Sequence, residues 1–120
     1  MKKRILSLVL AVVLALCLLP ATAYAATTAS GACGKNLTWS LSSTGTLTIS
    51  GKGAMAKYDS GKMPWAAYKN QIKSVVLAKG ITSIAYLSFS GYTKLTSVQI
   101  PDSVTDIGAS AFDNCTALSD

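Results

Sequence analysis

Apolar and polar residues alternate in two short runs in the first half of the chain. The first run is Leu37-Thr38-Trp39-Ser40-Leu41 and the second is Leu47-Thr48-Ile49. A period of two places successive side chains on opposite faces of a β-strand. The residues between the runs, Ser42-Ser43-Thr44-Gly45, form a four-residue turn sequence that contains glycine. The pattern predicts a β-hairpin over about residues 36–50 with one buried face.

A helical spacing follows the hairpin. Trp65, Tyr68 and Ile72 stand at positions i, i+3 and i+7, and Pro64 precedes them. This spacing is typical of one face of a helix, and proline is well tolerated in the first helical turn. We therefore predict a short helix over about residues 64–71. Its aromatic face is interpreted as core packing against the hairpin, with a ligand platform as the alternative.

The remainder of the chain repeats itself at a constant spacing. The matching pairs are Val75 and Val98, Ile81 and Val104, Ile84 and Ile107, Phe89 and Phe112, Thr93 and Thr116, and Leu95 and Leu118. This period of about 23 residues lies in the range of about 20–29 that is typical of leucine-rich repeats. We expect short parallel strands that begin near Lys73 and Ser97, with irregular or single-turn helical segments between them. Gly91 and Asn114 occupy matching turn positions, and both residue types tolerate positive φ.

These elements predict a β-rich leucine-rich-repeat solenoid with an N-terminal cap. Residues 26–72 are expected to form the cap, from the hairpin and the short helix, and residues 73–120 to form two repeats of about 23 residues each. The cap would cover the unpaired edge of the first repeat strand. No cap sequence follows the second repeat, so we expect the N-terminal piece of a longer protein or a truncated copy. If the chain folds alone, we expect marginal stability or self-association through the uncapped C-terminal end.

Residues 1–25 have the organisation of a secretory signal peptide. Met1-Lys2-Lys3-Arg4 is basic, the run from Ile5 to Leu19 is uncharged, and a small-x-small site ends at Ala25. We predict cleavage between Ala25 and Ala26, secretion or display at the cell surface, and no membrane span after cleavage. The apolar run is shorter than the ~18 residues of a membrane span. An uncleaved anchor and lipidation at Cys17 are the alternatives, the latter disfavoured by the bulky Leu16.

Composition narrows the possible chemistry. The chain has no histidine and no glutamate, which excludes histidine triads, histidine-ligated metals and glutamate general acids. The net charge of +6 becomes +3 without residues 1–25, because eight lysines then face five aspartates. The lysines are scattered, so no nucleic-acid partner is predicted. We predict no cofactor and no metal, and we expect Cys33 and Cys115 to be buried or free thiols because a disulfide would have to cross two repeats.

Two further sequence features have ordinary interpretations. Gly51-Lys52-Gly53-Ala54-Met55-Ala56 fits the pattern of a dinucleotide-binding turn, but a loop follows where that motif needs a helix. Five lysines cluster around the loop and predicted helix, at positions 52, 57, 62, 69 and 73. A solvated face that keeps the cap soluble is favoured over attraction to anionic polymers.

The motifs of the chain resemble those of a known family. The motifs in the predicted cap are Ser30-Gly31-Ala32-Cys33-Gly34, the run from Asn36 to Trp39, the run from Gly45 to Met55, and Pro64-Trp65. The motifs in the predicted repeats are Ile81-Thr82-Ser83-Ile84, Ser97 to Pro101, Val104 to Gly108, and Ala111 to Leu118. Together they resemble the BspA-type leucine-rich repeat proteins of bacterial surfaces and secretions. The resemblance implies adhesion or ligand recognition, and it carries over neither catalytic nor binding residues.

We therefore predict a non-enzymatic recognition module that binds an extracellular protein or glycan. The expected contacts are the outward strand positions Ser74, Val76, Ser97 and Gln99, which alternate with the inward Val75, Leu77, Val98 and Ile100. The alternative function is that of a spacer or appended repeat module in a larger exported protein or enzyme.

Overall fold

The computed structural model describes residues 26–119. The predicted export signal, with Ala25 on one side of its cleavage site, lies outside these residues. Within residues 26–119, eight strands follow one another in chain order, and their bounds are β1 Thr27–Gly34, β2 Leu37–Ser42, β3 Thr46–Gly51, β4 Gly53–Ala54, β5 Ser74–Leu77, β6 Ile81–Ile84, β7 Ser97–Gln99 and β8 Asp106–Ile107. A 3-10 helix spans Ala66–Tyr68 between β4 and β5.

The strands form two sheets. Sheet A has five strands in the order β1-β2-β3-β5-β7, and sheet B has three in the order β4-β6-β8. In sheet A, β1, β2 and β3 pair antiparallel, whereas β3, β5 and β7 pair parallel. Sheet B is parallel throughout. The described part of the chain therefore has a strand-rich, leucine-rich-repeat-like fold with parallel strands.

The predicted hairpin is formed by β2 and β3. Trp39 pairs with Ile49 and Leu41 with Leu47, so the apolar positions of the two strands share one face. All four of these side chains are buried. Gly45 closes the turn at φ 92°, a conformation that residues with a Cβ rarely adopt.

The predicted helix over residues 64–71 is wrong. The structure has the 3-10 helix Ala66–Tyr68 there, within a run of turns closed by hydrogen bonds between residues three apart, such as Tyr68 N–H to Trp65 O at 2.9 Å. Trp65 and Ile72 are nonetheless fully buried. Spacings of three and four residues bury side chains in a tight turn as well as in an α-helix, so the spacing was not specific to an α-helix.

The segments between the parallel strands also differ from the expectation. They were expected to be irregular or single-turn helical, but each contains a short strand of sheet B. Ser83 pairs with Asp106 and Ile84 with Ile107, in both cases one repeat period apart. These strands have two to four residues, too few for alternation to reveal them in the sequence.

The repeat pattern extends back into the N-terminal hairpin. Thr46 of β3 pairs with Ser74 of β5, and Ser74 pairs with Ser97 of β7 one repeat period later. The ring of Trp65 stacks on Phe89 at 5.4 Å and 10°, and Phe89 stacks on Phe112 at 5.4 Å and 13°. Strands β3 and β4 together with Trp65 thus form an N-terminal repeat, longer than the two that follow it.

The core is continuous through the three repeats, but its far end is open to solvent. Ile49 and Leu77 are buried at equivalent positions, whereas Ile100, the next member of that series, is 42% exposed. Among the described residues, Ile100 thus lies at the C-terminal end that the sequence predicts to be uncapped. No described strand covers the outer side of β7 at this position.

Candidate functional site

The outward face of sheet A carries a continuous row of uncharged side chains. Strand pairing aligns Ser30 with Ser40, Ser40 with Thr48, Thr48 with Val76, and Val76 with Gln99. This central row crosses all five strands. Inward neighbours such as Leu47 and Val75 are fully buried. The alternation of each strand therefore separates a sealed core from a polar surface.

The structure brings the four sequence-predicted contact residues together on this face. Ser74 pairs with Ser97, and Val76 pairs with Gln99. Ser74, Val76 and Ser97 are half-buried, and Gln99 is exposed. The hydroxyl of Ser74 lies 3.0 Å from that of Thr46, which links the predicted residues to the hairpin.

The hairpin contributes a part of the face that was not among the contact residues predicted from the sequence. A shallow depression of 340 Å³ lies over the hairpin strands, and its polar lining is Ser30, Thr38, Ser40, Thr48 and Ser50. The alternation of β2 and β3 already marked several of these positions as outward. Their continuity with Ser74 and Ser97 depends on the parallel pairing of β3 with β5, whose offset is longer than the repeat period.

The face is polar without carrying charge. Among the described residues, the outward positions of sheet A hold serine, threonine, alanine, valine and glutamine. The clustered lysines lie in turns and loops, and Lys73 directly precedes β5. Hydroxyls and an amide both donate and accept hydrogen bonds, so this surface suits an uncharged polar ligand.

Within the described residues, Cys33 and Cys115 are free thiols that are buried to different extents, in agreement with the sequence prediction. Cys33 is fully buried, and burial raises the pKa of its thiol to about 11. Cys115 is half-buried and donates its thiol hydrogen to Phe89 O at 3.0 Å. Burial also raises the pKa of the Cys115 thiol. Neither thiol is activated as a nucleophile.

Two other kinds of site were sought in residues 26–119. No group of three or more histidine, cysteine, aspartate or glutamate residues in that range is placed to hold a metal ion. Within the same residues, no helix has the length and apolar character to cross a membrane.

Comparison with known proteins agrees with the repeat geometry. Residues 65–120 match a family model described as a BspA type leucine rich repeat region of six copies. A crystal structure at 2.50 Å of a leucine-rich repeat protein from Eubacterium ventriosum ATCC 27560 is similar, with 35% sequence identity and a TM-score of 0.66. The likeness covers 72% of this chain and 24% of that one. No curated protein matches the chain. Residues 65–120 are therefore a leucine-rich repeat region of the BspA type.

Proposed function

We propose that the protein is an exported recognition module that binds an extracellular protein or glycan through the outward face of sheet A. The central row from Ser30 to Gln99 is the observation that carries this proposal, because it joins five strands into one uncharged hydrogen-bonding surface. Leucine-rich repeats of the BspA type are often surface or adhesion modules. Repeat folds commonly use such extended strand surfaces for binding.

Export is part of the proposal and is supported by the position of the first strand. Strand β1 begins at Thr27, one residue after the predicted cleavage position. The carbonyl of Ala26 accepts a hydrogen bond of 2.7 Å from Ser43 N–H. Cleavage between Ala25 and Ala26 would therefore remove the apolar segment and leave Ala26 and the whole of β1 in the mature chain.

A solenoid architecture is also proposed. Its support is the constant step from one repeat to the next: strands pair one repeat period apart in both sheets, and three aromatic rings stack at 5.4 Å intervals. Adding further repeats at the same step would extend both sheets in one direction.

Binding rather than catalysis is the proposed activity because of the groups on the face. Serine and threonine hydroxyls and the Gln99 amide do not change protonation near neutral pH, so they cannot act alone as general acids or bases. They are well suited to hold a ligand by hydrogen bonds.

The test is binding to an array of extracellular-matrix proteins and glycans. The chain is expressed with residues 1–25, recovered from the exported fraction, and compared with Gln99→Lys and Thr48→Lys. Thr82→Lys is the matched control, because Thr82 is exposed on sheet B. We expect both sheet A variants to weaken binding at least ~10-fold, or ~1.4 kcal/mol, and the control to leave it unchanged. Unchanged binding by both sheet A variants would contradict the proposal.

The second candidate function is a spacer or appended module in a longer exported protein. It is favoured by the length comparison, since this chain spans 24% of the similar leucine-rich repeat protein. If the chain is a spacer, Gln99→Lys should not change the ligand affinity of the intact protein that the host secretes. Deletion of the repeats should then alter only the distance over which that protein reaches its ligand.

A further inference from the structure

A second concavity lies beside sheet B, away from the outward face of sheet A. It has a volume of 390 Å³, and the residues that line it come from the loop after β4 and from the strands β6 and β8 with the turns that follow them. The groups with distinct chemistry along it are Lys57, Ser83, Tyr86, Asp106 and Ile107.

Tyr86 is the most informative residue of this groove. It is 50% exposed, and it is the one exposed aromatic side chain among residues 26–119. The equivalent position in the next repeat is Ala109, so the repeat does not need an aromatic ring there for its core. An exposed aromatic ring that core packing does not require is a common feature of binding surfaces.

The close approach of two repeats shapes the groove around this ring. The backbone N–H of Gly108 donates to Ile84 O at 2.7 Å. A Cβ at Gly108 would lie 2.7 Å from Tyr86 Cα, so the glycine lets the chain pack directly on the Ala85–Tyr86 peptide. This contact brings β8, with Asp106 and Ile107, alongside Tyr86.

Polar groups of complementary character line the same groove as Tyr86. Ser83 and Asp106 are paired neighbours on β6 and β8. Asp106 is exposed, and its carboxylate accepts a hydrogen bond of 3.4 Å from the adjacent Thr105 hydroxyl. Lys57 is exposed and also lines the groove. The groove thus offers a carboxylate acceptor, an ammonium donor and a hydroxyl, and its two charges are opposite in sign.

We propose that this groove binds one sugar ring of an uncharged glycan. A pyranose has an apolar face of C–H groups, which packs on an aromatic ring, and a rim of hydroxyls, which need both donors and acceptors. Tyr86 and Ile107 supply the apolar platform, and Asp106, Ser83 and Lys57 supply the hydrogen-bonding rim. An apolar peptide would use the platform but would desolvate the carboxylate and the ammonium without pairing them. The opposite charges favour a ligand without net charge.

The proposal does not depend on which ligand sheet A binds, and its test distinguishes binding at this groove from binding at sheet A. Cellohexaose, chitohexaose and mannohexaose are titrated by calorimetry into the full exported chain and into Tyr86→Ala, Tyr86→Phe and Gln99→Lys. We expect one hexaose to bind, Tyr86→Ala to weaken it at least ~10-fold, and Tyr86→Phe and Gln99→Lys to retain it. Circular dichroism establishes that the exposed Tyr86 variants remain folded.

Three results would overturn the proposal. They are no binding of any hexaose, binding that Tyr86→Ala leaves unchanged, and displacement of the bound hexaose by a short uncharged apolar peptide. Loss of binding in Gln99→Lys with retention in Tyr86→Ala would assign the sugar to sheet A instead.

Discussion

The N-terminal repeat and the last described repeat share one architecture but differ in how well they are covered. Trp65 in the first and Phe112 in the last belong to the same aromatic stack, yet Trp65 is fully buried and Phe112 is half-buried. Ile49 is fully buried, whereas Ile100 at the equivalent position is 42% exposed. A repeat therefore gains its buried surface from its neighbours, and an apolar residue is only as buried as the repeat on each side of it allows.

The hairpin explains why the N-terminal side is covered. Strand β2 pairs with the outer edge of β3, and the ring of Trp39 meets that of Trp65 edge-on at 6.0 Å and 79°. Strand β2 and the Trp39 ring thus cover the first repeat, as a preceding repeat covers each of the others. Within residues 26–119, no equivalent element covers the last repeat.

The largest predicted effect comes from the aromatic stack. Trp65→Ala should cost about 3–5 kcal/mol in the free energy of unfolding, because it removes a fully buried ring and leaves Ser88 O without the indole N–H that donates to it at 3.2 Å. Phe112→Ala should cost about 1–2 kcal/mol, because that ring is only partly buried. Urea unfolding of both variants measures the difference. Equal losses would contradict the proposed gradient of burial.

Substitutions at the inward strand positions should show the same contrast in the free energy of unfolding, with smaller losses. Leu77→Ala should cost about 2–4 kcal/mol, because Leu77 is 4% exposed between Ile49 and Ile100. Ile100→Ala should cost less than about 1 kcal/mol. The midpoints of urea unfolding at an unchanged m-value give both numbers. An Ile100→Ala loss as large as that of Leu77→Ala would show that Ile100 is covered in solution.

The close contact between repeats predicts that even a methyl side chain at Gly108 lowers the stability of the protein. Gly108→Ala should destabilise the protein by about 1–3 kcal/mol, because the new Cβ would meet the backbone of Ala85 and Tyr86. Ala85 occupies the matching position one repeat earlier and has a Cβ there already. Ala85→Gly is the control and should cost about 1 kcal/mol or less. Thermal unfolding of the pair checks the order, and a neutral Gly108→Ala would argue against the close approach.

The smallest effect is expected where a polar group is buried without a partner. The Tyr92 hydroxyl has no hydrogen-bond partner within the described residues, although the Trp65 side chain lies next to it. Burial raises the pKa of Tyr92 above its usual value. Tyr92→Phe should therefore be neutral or stabilising by up to about 1 kcal/mol. A clear loss of stability in calorimetric unfolding would show that the hydroxyl has a bound partner in solution.

The sequence predicted the features that depend on local alternation and on a strict period. Alternating residues in 37–49 were sufficient for the hairpin, and the constant repeat offset was sufficient for the parallel pairing of β5 with β7. Both patterns report which side chains must avoid water. Ser74, Val76, Ser97 and Gln99 were placed on one face by the same reasoning.

Other features depend on tertiary pairing that leaves little trace in the sequence. The longer offset between β3 and β5 breaks the period, so the hairpin was not recognised as part of the array. The sequence could not show that the helix near Trp65 is a 3-10 helix, because apolar spacing alone does not distinguish a 3-10 helix from an α-helix. The groove at Tyr86 likewise depends on the packing of Gly108. The exposure of Ile100, by contrast, agrees with the uncapped C-terminal end that the sequence predicted.

Residue-resolved hydrogen exchange tests the comparison of the two ends most directly. Strands β3 and β5 each have a hydrogen-bonded strand on both sides within sheet A, whereas β7 and β8 lie at the outer edges of their sheets. For the full exported chain we expect amides of β3 and β5, such as those of Ile49 and Leu77, to exchange only through global unfolding. Amides of β7 and β8 should exchange faster by at least ~10-fold. Uniform protection from β3 to β8 would contradict the account, because it would show that the far end is as well covered as the hairpin end.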